Sequence, residues 1–195
     1  MRTRLLHTAA RLAGIGLLAA ALLGLFPSAS YAQNAISAEG AAAVKTAFIA
    51  DLDVMKDKFL GLANAFPQDK YTWRPMEGVR SVSEVLILVT MEGYSFVPTS
   101  FGGAAAQLGS PEDMAKLRTL TDKAQIIEHL TKAFAHAKQV LQGVDPATLT
   151  GTRRVMGQTM STQQVAFAIG GDIHEHLGQL IAYARTNRIV PPWSK

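Results

Sequence analysis

The sequence contains no cysteine. That excludes a disulfide scaffold, a thiolate zinc site, a cysteine nucleophile and thiol redox chemistry together. Charge is also scarce, at 17% of 195 residues, but 48% of the residues are hydrophobic. A chain this apolar buries a core, so low charge here does not mean disorder. The chain is long enough for one domain and short for two. The net charge of +4 is unevenly placed. Arg2, Arg4 and Arg11 lie in residues 1–32, which hold no acid; beyond them 16 basic residues face 15 acidic ones. That near-neutral balance offers nothing to a nucleic acid or an anionic surface.

Residues 1–32 read as a secretory signal peptide. Met1–Arg11 is the basic region, Leu12–Phe26 the apolar one, and Pro27 breaks it. Ser30-Tyr31-Ala32 places small residues at the −3 and −1 positions of a cleavage site. The apolar run of about 15 residues is shorter than the ~20 a membrane span needs. The expectation is cleavage after Ala32, export to the periplasm or beyond, and a mature domain over residues 33–195 that no membrane holds.

The mature sequence reads as all-α. A first amphipathic helix is expected from about Ser37 to Ala65, with Val44, Phe48, Leu52, Met55, Phe59 and Leu62 on one stripe. Pro67 ends it. A Pro-containing loop with Tyr71 and Trp73 as packing residues leads to Ser81-Val82-Ser83-Glu84, a capping box for a second helix to about Phe96. A short helical piece is expected within Pro111–Leu120. The third long helix starts at a Thr121 cap and runs to about Gln142. The fourth starts at a Ser161 cap and runs to about Asn187, after a long connection at Gly143–Met160. No strand pair stands out. Four helices with these connections describe a four-helix bundle. Its expected core includes Leu62, Val85, Val89, Ile127, Leu130, Phe134, Val165 and Ile169.

Three polar residues interrupt the apolar stripes. At roughly 100° per residue, Glu92 projects among Val82, Val85, Val89 and Phe96 of the second helix. Asp172 and His176 project at the centre of the stripe formed by Val165, Ile169, Leu180 and Tyr183 on the fourth. Asp172 and His176 are four apart and so are neighbours. A buried carboxylate is costly unless paired, protonated or metal-bound. Two readings follow. In one, the cluster is metal-free: Asp172 bonds His176, and Glu92 pairs with Tyr183, Gln179 or an arginine. In the other, the three hold one divalent ion such as zinc, nickel, iron or manganese, with a position left open for water or substrate.

The remaining histidines read differently. His174 points about 200° from His176 and belongs to the surface. His129 and His136 belong to a solvated flank of the third helix. Ser81 and Ser161 read as caps. Gly170-Gly171 suggests close helix approach, or room for a ligand beside Asp172.

Two segments carry a family resemblance. Tyr71-Thr72-Trp73-Arg74-Pro75-Met76-Glu77-Gly78-Val79-Arg80-Ser81-Val82-Ser83-Glu84-Val85 resembles the entry to the second helix of the DinB/YfiT-like superfamily. His174-Glu175-His176-Leu177-Gly178-Gln179-Leu180-Ile181-Ala182-Tyr183-Ala184-Arg185, followed by Ile189-Val190-Pro191-Pro192, resembles its C-terminal signature. The resemblance implies a four-helix bundle, often homodimeric. In many members three histidines bind a divalent metal, and some members transfer or isomerise with low-molecular-weight thiols. The positions of that triad fall here on Leu88, Asp172 and His176: one ligand lost, one changed, one kept. Glu92, one turn beyond Leu88, is a shifted replacement by its spacing. Two functions are therefore carried forward. One is an exported small-molecule-binding or interaction module with a degenerate metal site. The other is a divalent-metal-dependent hydrolase or transferase using Glu92, Asp172 and His176.

Overall fold

The computed structural model describes residues 35–194; the expected signal peptide lies outside the described residues. Helix α1 spans Ala38–Ala65 and is capped by Ser37, whose hydroxyl accepts from the Gly40 N–H at 3.1 Å. Phe48, Leu52, Met55, Phe59 and Leu62 fall on its buried side. It stops where Phe66 turns extended ahead of Pro67, as a residue before proline tends to. Tyr71, fully buried, donates its hydroxyl to the Ala63 carbonyl at 2.7 Å and fastens the following loop to α1.

Helix α2 spans Val82–Met91 and opens on the expected capping box: the Ser81 N–H donates to Glu84 at 2.6 Å and the Glu84 N–H to Ser81 at 3.3 Å. It does not end at Phe96. Glu92–Phe96 forms a π-helical turn, and a short helix α3 continues over Val97–Ser100. Pro98 supplies the reason. It has no N–H for the Tyr94 carbonyl, and its ring would crowd that carbonyl in a regular α-helix. The wider turn relieves this: Val97 bonds back to the Glu92 carbonyl, and the Tyr94 carbonyl accepts from Ala106 at 2.8 Å. The inserted residue also rotates everything beyond it. Val97 is buried and Phe96 is only half-buried, the reverse of the uniform projection.

Helix α4, Pro111–Arg118, begins with a Ser110–Asp113 capping box. Helix α5, Lys123–Gly143, is capped by Asp122, whose carboxylate accepts from the Gln125 N–H at 2.9 Å. The expected cap, Thr121, instead gives its carbonyl to the Gln68 side chain. Ile126 takes the inward position at the start of α5, so Ile127 is half-buried on the flank and not in the core. The other seven expected core residues are buried. Helix α6, Thr162–Thr186, carries the Ser161–Gln164 capping box.

The fold is mostly helical as expected, but the connection before α6 holds a strand pair that was not expected from the sequence. Strands β1 (Thr152–Val155) and β2 (Gln158–Ser161) pair antiparallel, with Val155 opposite Gln158 and Thr152 opposite Ser161. Met156 and Gly157 make the two-residue turn, both with positive φ (51° and 76°), as such hairpins require. A methionine there gives no turn signal in the sequence.

Helix α1 packs against α5 and α6, and α2 packs against the same two helices. The four form a closed ring around one apolar core. Close approach occurs at Gly93, not at Gly170-Gly171. A Cβ on Gly93 would lie 3.0 Å from the Ala133 Cβ, whereas one on Gly170 meets only ordinary contacts and one on Gly171 meets open space. The packing of α2 against α6 sets the stage for the polar residues.

Candidate metal centre

Glu92, Asp172 and His176 converge between the end of α2 and the middle of α6. The π-helical turn begins at Glu92, whose N–H bonds to the Leu88 and Val89 carbonyls and whose side chain is drawn inward to 11% exposure. π-helical turns occur often at functional sites. The His176 Nε2 stands 3.6 Å from Glu92 Oε1 and 3.8 Å from Asp172 Oδ1. One donor atom from each residue lies within 4.8 Å of the other two. Glu92 and His176 side chains are nearly enclosed, while Asp172 keeps 31% exposure on the solvent side. The open space above Gly171 lies next to it in sequence.

The separations matter. They exceed hydrogen-bond lengths, but two ligands each about 2 Å from a shared ion sit roughly 3–4 Å apart. Glu92 Oε2 is buried and has no hydrogen-bond partner. Among the described residues no lysine or arginine pairs with Glu92 or Asp172. The partners considered for Glu92 are engaged elsewhere. Gln179 donates to the Tyr183 hydroxyl at 2.8 Å, and that hydroxyl donates to the Arg80 carbonyl at 2.9 Å. Burial pushes the Glu92 carboxyl above the usual carboxylate range, and Asp172 adds to this, while His176 opposes it. Glu92 in turn raises the His176 imidazole above its ordinary value, against burial and with help from Asp172 and Gln179. Without a cation Glu92 and His176 therefore hold their protons more tightly than the free groups would.

Leu88, at the position where the resemblance implies a histidine, is half-buried and supplies no ligand atom. It lines a separate cleft, with Arg74, Arg80, Glu84, Ile87 and Met91 among its neighbours. That cleft was not anticipated from the sequence, although Arg74, Arg80 and the capping-box glutamate were visible there.

The other polar residues fall outside the cluster. His174 is exposed and approaches Asp51 of α1 at 3.0 Å, a partner the helical projection could not name. His129 and His136 lie partly exposed on the flank of α5, as expected, each beside a polar neighbour. His129 Nδ1 lies 3.2 Å from the Tyr94 hydroxyl, and His136 Nε2 lies 3.2 Å from the Ala104 carbonyl. Trp73 stands edge-on to Tyr183, a loop-packing role.

No curated protein and no solved structure matches the sequence. The DinB superfamily matches it over residues 51–180, a span that includes Glu92, Asp172 and His176. With that match over most of its helical domain, the chain belongs to the DinB superfamily.

Proposed function

We propose that the chain is a small-molecule-binding module whose Glu92, Asp172 and His176 hold one divalent transition metal ion. The observation that carries this reading is Glu92 Oε2, a buried carboxylate oxygen without a partner, next to an imidazole and a second carboxylate at ligand-like separations. A metal-free polar cluster would be expected to close its own hydrogen bonds. The donor set of two oxygens and one nitrogen suits zinc, nickel, iron or manganese. Bound there, the ion would supply Lewis acidity and lower the pKa of a coordinated water. Three protein ligands leave room for that water or a substrate, the arrangement a hydrolase or transferase requires. Within the chain, Glu92 supplies the enclosed charge, His176 the nitrogen, and Asp172 the ligand on the open side.

Residues 1–32 are proposed to export the chain, on the basic, apolar and small-residue pattern described above. A mature form beginning at Gln33 is the expected mass-spectrometric result; a stable full-length product would contradict it. A homodimer, in line with the resemblance, is proposed as its assembly, to be checked by the mass in solution. Elemental analysis of protein purified without an affinity tag tests the metal reading. About one equivalent of a transition metal supports it, and none, even after incubation with zinc, removes it.

A further inference from the structure

The cleft beside Leu88 has a composition that points to a ligand class. It measures about 570 Å³, within the range of small-molecule sites. It lies against the outer face of α2, with the loop before that helix on one side and Arg118 of α4 on another. Ile87, Leu88, Met91 and Val79 give it an apolar lining; Arg74, Arg80 and Arg118 bring three guanidinium groups.

These arginines are not equivalent. Arg74 is committed: it donates to Glu84 Oε1 and to the Val79 carbonyl, each at 3.1 Å, and so holds the loop. Glu84, the one carboxylate lining the cleft, has each oxygen bonded, one to Arg74 and one to the Ser81 N–H. Its carboxyl sits below the usual range, first because of that backbone hydrogen bond. Arg80 and Arg118 are exposed and form no ion pair among the described residues. Two uncommitted, permanently charged forks over an apolar surface complement an oxyanion attached to an apolar body.

The cleft shares helix α2 with the polar cluster, but none of its lining residues belongs to that cluster. Leu88 lines the cleft, while the Leu88 carbonyl accepts the Glu92 N–H. At its other end the Arg80 carbonyl accepts the Tyr183 hydroxyl, which Gln179 ties to the α6 face that carries His176.

We propose that this cleft binds a small amphipathic anion, its carboxylate or phosphate on Arg80 and Arg118 and its apolar body along Ile87, Leu88 and Met91. The ligand class rests on the cleft alone and is independent of the metal reading. The test is calorimetric titration of the mature protein with octanoate, octan-1-ol and octylamine, and separately with zinc. Octanoate is expected to bind once per chain and more tightly than either control. Arg80→Gln with Arg118→Gln should weaken it about tenfold or more, the scale of lost charge-assisted bonds. Both side chains are exposed, so an unchanged melting temperature checks that the variant is folded. Octanoate binding that is absent, matched by octylamine, or indifferent to the two substitutions overturns the proposal, even if zinc binds. Arginine-dependent octanoate binding without any zinc binding supports the ligand class and overturns the metal reading.

Discussion

The two ends of the α2–α6 contact treat polar groups in opposite ways. At the start of α2, the Arg80 carbonyl and the side chains of Ser81, Glu84, Gln179 and Tyr183 are all paired. Each of the bonds just described ends on a partner at 2.6–3.3 Å. At the far end, Glu92, Asp172 and His176 are brought together but left at 3.6 and 3.8 Å, with one carboxylate oxygen orphaned. The closed end behaves as structure: its polar groups satisfy one another and fix the loop. The open end spends burial on charge without completing its bonds, as groups arranged for a ligand do.

Three substitutions and one titration measure that contrast in the metal-free protein. The largest effect is expected from the core shared by both ends. Leu130 of α5 is fully buried, and Leu130→Ala should cost about 2–5 kcal/mol in denaturant unfolding. Tyr183→Phe breaks the closed end. It strands the Arg80 carbonyl and the Gln179 amide, and should cost about 1–3 kcal/mol. Glu92→Met at the open end should behave differently, leaving stability unchanged within about 0.5 kcal/mol or raising it, because a desolvated carboxylate is removed. A loss as large as that of Tyr183→Phe would mean the open end is structural after all.

The smallest effect is a pH slope. Glu92 and His176 both have folded-state pKa values above their ordinary ones. Both therefore bind protons more tightly folded than unfolded. Their contribution is fully present at acid pH and is lost as pH rises through the two folded values, each of which lies above the group's ordinary one. The metal-free protein should lose melting temperature over this window relative to Glu92→Met. Zinc should reverse the trend, because its ligands must be deprotonated and its stabilisation grows with pH. Parallel melting curves with and without zinc would contradict the coupling.

Much of this was legible in the sequence because stripes and caps are local. The phase of α1 placed Phe48, Leu52 and Met55 inward, and the Ser81 and Ser161 capping boxes fixed two helix starts. The inward position of Glu92 was read from the same periodicity. What escaped depended on non-periodic backbone. Pro98 relocated the end of α2 through a π-helical turn, so Phe96 and Val97 exchanged places. The β-hairpin hid because Met156 occupies a turn position that glycine or asparagine would have signalled. The Asp51–His174 contact and the cleft under Arg80 and Arg118 join segments distant in the chain, and a single sequence holds no record of such pairings.

Joint ligation of one ion by Glu92, Asp172 and His176 is the property on which the proposed function depends. Calorimetric titration of zinc into the untagged mature protein at neutral pH, beside His176→Ala and Asp172→Ala, tests it most directly. The unsubstituted protein is expected to bind one zinc per chain with proton release, and both variants to lose that binding. No saturable binding, or binding that both substitutions leave unchanged, would contradict it.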